Sequence, residues 1–520
     1  MPLRVLAPGL AALGLILALC LGGLALVAGQ GGGDRAGGGA LRAVDWRALE
    51  FTLTQAFLSA LLSVALALPV ARALSRRRFA GRDLAASLMG APFLLPVIVA
   101  VVGIIAVWGR SGWASELSLA LGGPRVDVYG MPGVLIAHVF FNLPLAARLL
   151  LQAYADVPAE RWRVAAQLGL EGRALWSALE GPALRAAAPA AFALVFLVCA
   201  TSFAVALALG GGPRATTLEV AIYEAARYDF DLSRAARLAA LQAGVCALAA
   251  LLALAAAAPM TAAPGALRRA ERWDGRAPAA RAFDAAALVF AGLFLGLPLL
   301  AVAIRGAPGL ALLGPEVWAA AARSLVTALL ATALCLGVAL PLAALLAAWR
   351  NAGRRAAGWA EAAALAPLAA SPFVLGIALI VALRPVADPF ALALPLTAGI
   401  NALMAAPFVL RLLSAPLAQA QAEQGRLADA LGLRGATRWR VLYLPRLRAP
   451  LGFAAGLAAA LSAGDLGVIA LFSRPEAPTL PLLMHLLAAS RQLDAAMGAA
   501  LALLALSFGL FYAFDRLGRA

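Results

Sequence analysis

Asp465 is the residue of this sequence whose type and position most strongly suggest chemistry. It lies in the apolar run GFAAGLAAALSAGDLGVIALF, where a carboxylate is costly and usually faces a cavity or a partner. One interpretation is an acidic group on the path of a cationic substrate. The alternative is structural: the stretch SAGD breaks a helix, and Asp465 caps the half-helix that follows. Polar residues at helix breaks are common in transporters, which favours the capping role.

Three further polar residues are candidates to line the same path. Ser202 is the counterpart of Asp465 in the internal repeat described below, so that a charge on the path would belong to one half only. His138 and Asn401 occupy equivalent positions of the two halves, each within an apolar run. Hydrogen bonds between neighbouring helices are the alternative role for both side chains.

No arrangement of nucleophile, base or metal ligands predicts catalysis. His138 and His485 are the only histidines, and the four cysteines lie singly in separate apolar runs, so neither a zinc site nor a disulfide framework is expected. All 42 basic residues are arginines, and a phosphate-binding P-loop needs a lysine. We therefore predict a protein that is not an enzyme and holds no cofactor. If ATP drives its action, another subunit must bind the nucleotide.

The composition places these residues in a membrane. Apolar residues make up 63% of the 520 residues, only 13% are charged, and the mean hydropathy is +0.90. A net charge of +16 is also typical of proteins that bind nucleic acid. However, the arginines lie in short segments between apolar runs, which is the pattern of loops that orient membrane proteins. We therefore predict a multi-pass protein whose surroundings are the lipid bilayer, with no nucleic-acid partner.

Twelve apolar runs have about the 20 residues that a helix needs to cross the hydrocarbon core. The arginine-rich loops all fall on one side, which predicts that both termini are cytoplasmic. We expect the first run to be retained and not cleaved as a signal peptide, and Pro341 to kink or end the eighth run. The predicted spans are residues 7–28, 51–71, 85–108, 132–152, 187–209, 236–258, 283–304, 319–347, 360–383, 392–413, 450–472 and 495–514.

The chain contains an internal duplication. Residues 168–187 and 431–450 align at an offset of 263, with ten of the twenty positions identical, and the offset continues on both sides without a gap. Each half then holds six spans of the same orientation, a parallel repeat about an axis along the membrane normal. We predict an all-α membrane protein with about twelve transmembrane helices in two repeats, 1–258 and 283–520. A cytoplasmic linker, 259–282, joins them.

Each half also has one long, arginine-rich loop with a shared internal spacing. Gly169 and Pro182 in the first loop are 13 residues apart, as are Gly432 and Pro445 in the second. Each loop reads as a helix, a glycine-containing turn, a short helix and a proline suited to the start of the next helix. An amphipathic loop lying on lipid headgroups would explain the arginines. A rigid helix–turn–helix that fits a partner's groove also explains the equal spacing, so we predict a docking surface.

These loops resemble the EAA loop of the inner-membrane permeases of ABC transporters. That pattern is Glu-Ala-Ala, three residues, Gly, nine residues, Ile, one residue, Leu-Pro. The second copy, RLADALG…VLYLP, has Gly432, Leu444 and Pro445 at the matching positions, and the first, RVAAQLG…ALEGP, has Gly169 and Pro182. The resemblance implies that the loops dock a separate cytoplasmic ATPase and receive its motion.

The chain departs from the EAA pattern at the leading glutamate. Arg163 and Arg426 stand there, and Glu160 and Glu423 lie three residues earlier. The residues predicted to form the ATPase-coupling loops are Glu160, Gly169, Trp176, Pro182, Glu423, Gly432, Trp439 and Pro445.

Two further stretches narrow the resemblance. LGGGPRATTLEVAIYEAARYDFDLSRAA (209–236) and LSAGDLGVIALFSRPEAPTLPLL (461–483) resemble the fused permeases of bacterial thiamine and thiamine pyrophosphate importers, and the likeness covers nearly the whole chain. It implies a type I ABC-importer permease of the bacterial inner membrane. It also implies an ATPase homodimer, a periplasmic substrate-binding protein, and thiamine or its phosphates as substrate.

Two alternatives stay open at this point. Permeases for iron(III) or polyamines are close to the same family pattern. An ion-coupled secondary transporter is also often built from two six-span halves. The repeated Gly-to-Pro loop favours the ATP-driven class over the ion-coupled one.

Overall fold

The computed structural model describes residues 3–31, 41–82, 85, 89, 95–210, 212, 215–256, 272–433, 435–473, 476–490 and 492–519. All regular structure in these residues is helical, so the all-α prediction is confirmed. The first half contains α1 (Leu3–Leu17), α2 (Gly23–Gly31), α3 (Ala43–Arg76), α4 (Val97–Trp108), α5 (Trp113–Ala120), α6 (Met131–Ala155), α7 (Ala159–Gln167), α8 (Gly172–Leu175), α9 (Gly181–Ala200), α10 (Ala204–Leu209), α11 (Leu218–Arg227) and α12 (Leu232–Ala256).

The second half contains a closely similar series. Its helices are α13 (Pro278–Gly309), α14 (Pro315–Asn351), α15 (Ala356–Ala364), α16 (Ala366–Ala369), α17 (Pro372–Leu383), α18 (Ala393–Ala430), α19 (Gly435–Arg438), α20 (Leu444–Ala463), α21 (Gly467–Phe472), α22 (Leu480–Ala489) and α23 (Leu493–Arg519). Two five-residue π-helical turns, Trp176–Glu180 and Trp439–Tyr443, lead into α9 and α20. A further π-helical turn, Ala18–Gly22, joins α1 to α2.

The helix boundaries repeat at the offset seen in the sequence. α8, α9 and α10 begin and end 263 residues before α19, α20 and α21, whereas α4 lies 275 residues before α17. The division into repeats 1–258 and 283–520 stays a prediction. α13 begins at Pro278, within the predicted linker, and residues 257–271 lie outside the described part of the chain.

Ten helical segments of the described residues are long and apolar enough to cross a membrane. They are Leu6–Val27, Ala43–Arg76, Val97–Ala120, Met131–Ala155, Gly172–Ala200, Leu232–Leu252, Pro278–Leu312, Pro315–Asn351, Ala393–Ala430 and Leu493–Arg519. The prediction was that Pro341 kinks or ends the eighth span. An end at Pro341 is wrong, because α14 continues past it to Asn351, and a kink there stays a prediction.

The ninth predicted span is not one helix. Residues 360–383 are divided among α15, α16 and α17, and Pro367 and Pro372 lie at the starts of the last two. Proline lacks the amide hydrogen of an interior helical bond and disfavours helical geometry in the residue before it. Hydropathy alone therefore missed a break that the two prolines impose.

The fifth and eleventh predicted spans are broken at matching places. Residues 201–203 separate α9 from α10, and residues 464–466 separate α20 from α21. Each break leaves non-helical backbone within a predicted span, where it needs protein or a cavity around it.

The first helix of each half packs on the other half. α1 contacts α14, and α2 contacts α17, whereas α13 contacts α3 and α4. Glycines permit two of these crossings. A Cβ at Gly9 would lie 2.6 Å from the carbonyl oxygen of Pro341, and one at Gly103 would lie 2.6 Å from that of Pro298. The halves are therefore held together by close helix contacts of the kind that small residues allow in membranes.

We expect Gly103→Val to weaken the packing of α4 on α13. The added carbons would overlap the Pro298 backbone, and overpacking of this kind costs about 1–3 kcal/mol. The thermal midpoint of the purified protein in detergent should fall. Gly292→Val in α13 is the control, because a Cβ there meets nothing within 4 Å. Equal midpoints for the two variants would contradict the close crossing.

Candidate coupling loops and central cavity

The two arginine-rich loops have the same backbone geometry. Gly169 has φ +62° and Gly432 has φ +63°; two further glycines, Gly172 and Gly435, have φ +55° and +54°. Each loop is a helical segment, a turn that contains the first left-handed glycine, a four-residue helix that begins at the second, and a π turn. The spacing predicted a helix–turn–helix with one glycine in the turn. The structure shows a second left-handed glycine in each loop, which the spacing did not predict. Since L side chains rarely adopt positive φ, glycine is the residue that fits these turns.

The prolines and tryptophans lie at the ends of the loops, next to the long helices that follow. Pro182 and Pro445 occupy the first turns of α9 and α20, as their missing amide hydrogens allow. Trp176 and Trp439 each begin a π turn. Trp176 is 41% exposed, and Trp439 is half-buried with its ring edge-on to Tyr443. Part of each loop thus presents aromatic surface.

The two glutamates predicted to belong to the ATPase-coupling loops differ in their contacts. Glu160 lies exposed in the first turn of α7. Glu423 lies near the end of α18, where it accepts a hydrogen bond from Gln419 at 2.8 Å and pairs with Arg446 of α20. Glu423 therefore ties the first helix of its loop to the helix that follows the π turn.

A buried ionic cluster at the first loop was not predicted. Glu180 of the π turn pairs with Arg72 and Arg272, and Arg272 pairs in turn with Asp274. Although burial acts in the opposite direction, the hydrogen bonds and charges of Arg272 and Arg76 lower the pKa of Asp274 below its usual range. Sequence offered one signal, namely a glutamate at a loop position whose counterpart in the second half is not acidic.

A cavity of about 350 Å³ lies between the two halves at the helix breaks. Both broken segments line it, together with residues of α4, α6 and α17. Of the four residues predicted to line a path, His138, Ser202 and Asp465 do so. Asn401 is not among the lining residues, and its amide donates to Ser462 at 3.1 Å. The breaks thus place two matched positions, 202 and 465, on one cavity.

Asp465 has both of the features that the sequence suggested. Its carboxylate accepts long hydrogen bonds from the backbone amides of Val468 and Ile469, at 3.5 and 3.3 Å, and so caps α21. It also lines the cavity and is only partly buried. A capping carboxylate keeps its negative charge available to a cation on its open side. The two interpretations are therefore compatible.

Other lining residues add polar and aromatic contacts. The Nδ1 atom of His138 lies 3.0 Å from the hydroxyl of Ser59, while its buried Nε2 has no hydrogen-bond partner among the described residues. The rings of Phe203 and Phe373 lie 4.5 Å apart between centroids, at the boundary of the two halves. Sequence reasoning missed both rings, because phenylalanines in apolar runs resemble ordinary core residues. An acidic group beside aromatic rings and an unpaired imidazole nitrogen suits an aromatic cation.

Comparison with known proteins gives consistent matches over most of the chain. The chain is 40% identical over 499 residues to the thiamine transport system permease protein ThiP of Brucella abortus (strain 2308). The aligned residues cover 95% of this chain and 91% of the relative. The protein of that name from Escherichia coli (strain K12) is 40% identical over 91% of this chain and 89% of its own length. The thiamine transport system permease protein ThiP of Haemophilus influenzae (strain ATCC 51907 / DSM 11121 / KW20 / Rd) is 36% identical over 89% of this chain and 87% of its own length. A search of protein-family profiles finds no match.

Proposed function

The chain belongs to the family of thiamine transport system permease proteins, and we propose that it is the membrane-spanning subunit of an ATP-driven importer that moves thiamine and its phosphate esters into the cytoplasm. It is a multi-pass protein of the inner membrane and acts as a translocating subunit. The observation that carries the proposal is identity of 36–40% over about nine-tenths of the chain. The relatives' names do not favour an iron(III) or polyamine permease.

The paired loops supply the mechanical side of the proposal. Their matching turns give two similar surfaces on one chain, which suits an ATPase homodimer with one copy on each loop. Motion of either ATPase copy would pass through the loop's short helix and π turn into α9 or α20. These helices end at the breaks that line the cavity. A displacement of either loop would therefore move the residues that line the cavity, because a rigid helix of about 20 residues connects the two.

The cavity supplies the chemical side. A periplasmic binding protein would deliver the substrate from outside. Asp465 offers a negative charge to the thiazolium ring of thiamine, and Phe203 and Phe373 offer aromatic surface. Conduction needs a site that binds only weakly, so that the substrate leaves again. A single carboxylate that is already shared with the backbone amides of α21 meets this need.

Transport itself tests the proposal. Membrane vesicles that contain this chain, its ATPase and its binding protein should accumulate labelled thiamine only when ATP is inside. Excess unlabelled thiamine should compete, whereas iron(III) and spermidine should not. An ion-coupled transporter would instead take up thiamine without the ATPase and stop when an ionophore collapses the gradient. That second pattern would refute the proposed function.

The orientation of the chain is a separate expectation. A reporter fused after Arg519 should read cytoplasmic, and one inserted at Gly212 should read periplasmic, because the arginine-rich loops and the termini are predicted to lie on the cytoplasmic side. An insertion at Gly353, in the turn after α14, should read cytoplasmic as a control. The opposite assignment for Arg519 and Gly353 would overturn the predicted topology.

A further inference from the structure

The π turn that closes the first coupling loop carries a fully buried carboxylate. Glu180 has 0% of its surface exposed. Its Oε2 atom lies 2.9 Å from Nη2 of Arg72 in α3, and its Oε1 atom pairs with Arg272. A buried carboxylate is costly unless well-placed guanidinium groups surround it. The position of this turn therefore depends on two arginines that are not part of the loop.

Arg272 and Trp273 belong to the segment of the chain that is predicted to link the two halves, and their side chains fill the interior of the first loop. The guanidinium of Arg272 lies 4.2 Å from the ring centroid of Trp162 in α7, a buried cation–π contact. The indole nitrogen of Trp273 donates to the carbonyl of Leu170, in the turn, at 3.2 Å. With the pair to Glu180, this short segment contacts the first helix, the turn and the π turn of the loop.

The same segment is fixed to α3, and an arginine of α3 also contacts the second half. Asp274 pairs with Arg76 of α3 at 3.2 Å, and the carbonyl of Gly275 accepts a hydrogen bond from Arg77 at 2.6 Å. Asp284 of α13 accepts a hydrogen bond from Nε of Arg76 at 2.7 Å. A movement of the first loop is thereby connected to α3 and to the first helix of the second half.

The second loop fills the corresponding space with an arginine of its own. Arg438 donates from Nε to the hydroxyl of Tyr443 at 2.7 Å and from Nη2 to the carbonyl of Gly425 at 3.4 Å. Its Nη1 atom pairs with Asp429 at 2.9 Å. Its guanidinium thus links the first helix of the loop to the π turn, as the guanidinium of Arg272 does in the first loop.

The offset of 263 residues shows which residues of the two loops correspond. Tyr443 corresponds to Glu180, and Arg438 corresponds to Leu175, which is buried and apolar. We infer that Arg272 is a positioning residue for the first coupling loop, in the role that Arg438 has within the second. The segment that joins the halves is then part of the coupling machinery and not only a tether. This inference rests on the proposed function of the loops.

The test compares Arg272→Ala with Arg438→Ala in the reconstituted complex with ATPase and binding protein. The quantity measured is ATP hydrolysed per thiamine molecule imported. Each variant should raise this ratio about fivefold or more, the range of a typical coupling free energy. Abundance in the membrane and ATPase co-purification are measured alongside, because a merely structural defect would lower abundance without changing the ratio.

A rescue and a milder variant complete the design. Leu175→Arg places an arginine at the position that Arg438 has in the second loop, so adding it to Arg272→Ala should return the ratio toward the parent value. Glu180→Gln keeps the size of the side chain and removes its charge, and it should raise the ratio as Arg272→Ala does. If Arg272→Ala does not accumulate in the membrane, the result for Glu180→Gln decides.

The outcomes separate the inference from the function on which it rests. A normal ratio in Arg272→Ala overturns the inference, whatever the ratio in Arg438→Ala. If Arg272→Ala does not accumulate, a normal ratio in Glu180→Gln does the same. An uncoupled Arg438→Ala beside either result would show that the second loop still transmits ATPase motion. The proposed function then stands. Normal ratios in all of these variants, together with uptake that needs no ATPase, would remove the proposed function itself.

Discussion

Gly432→Val is expected to give a permease that reaches the membrane but no longer couples ATP hydrolysis to thiamine uptake. Gly432 has φ +63°, a conformation that costs a β-branched residue about 1–3 kcal/mol. A Cβ at this position meets nothing within 4 Å, so the strain comes from the backbone alone and not from a clash. The chain can relieve it only by changing the turn, which would rotate the short helix that follows. Because that helix is proposed to contact the ATPase, coupling should fail before folding does.

Substitutions at the same position grade the effect. Gly432→Asn should be milder than Gly432→Val, because asparagine tolerates left-handed backbone better than other residues. Gly169→Val, at φ +62°, should affect the first loop in the same way. The measurements are ATPase co-purification and thiamine-stimulated ATP hydrolysis in proteoliposomes. Gly358→Val in α15 is the control, since a Cβ at this helical glycine meets nothing within 4 Å and its φ is not positive.

If both valine variants still couple ATP hydrolysis to thiamine uptake fully, the two turns do not transmit motion from the ATPase. The loops would then be surface helices, and the amphipathic interpretation of their arginines would be preferred. A loss of coupling in Gly358→Val as well would indicate that any substitution on the surface predicted to be cytoplasmic impairs coupling. Neither result would bear on the membership of the family, which rests on identity along the chain.

The backbone geometry of the two loops could be predicted because its signal is local, whereas their coupling role stays a prediction. Gly432 and Pro445 each have a backbone requirement that few residues meet, and their spacing recurs in the other half. The helix breaks divide into two kinds. Gly464 and Asp465 indicate a break in the sequence, whereas the matching stretch Thr201-Ser202-Phe203 has neither glycine nor proline. The break at residues 201–203 could have been predicted only by aligning the two repeats and transferring the break at Gly464 and Asp465 to the first half.

The ionic cluster could not be predicted from spacing. Glu180, Arg272 and Asp284 are separated by up to about a hundred residues along the chain and meet only when α3, the first loop and α13 pack together. Arginines are abundant in every segment predicted to be cytoplasmic, so those of the cluster do not stand out by composition. Likewise, the pairing of Phe203 with Phe373 depends on how the halves cross. Long-range partners of this kind follow from packing and not from pattern.

The second large effect is expected at Asp465. Asp465→Asn should keep the cap on α21, because asparagine caps helices about as well as aspartate. It removes the negative charge from the cavity that Asp465 lines. If that charge attracts the thiazolium ring, the apparent affinity of uptake should weaken by about tenfold, which corresponds to about 1.4 kcal/mol. Membrane abundance and ATPase binding should stay near the parent values.

The matched position in the other half offers a rescue. Ser202 lines the same cavity at the same place in its broken helix, so Ser202→Asp combined with Asp465→Asn returns one carboxylate to the cavity from the opposite side. Part of the lost uptake should return if what matters is a charge in the cavity. Asp465→Ala removes the charge and the cap together, and its abundance should fall below that of Asp465→Asn. Normal uptake by Asp465→Asn beside a poorly accumulating Asp465→Ala would leave Asp465 with the capping role alone. The cavity would then have to recognise its substrate through the aromatic rings and His138.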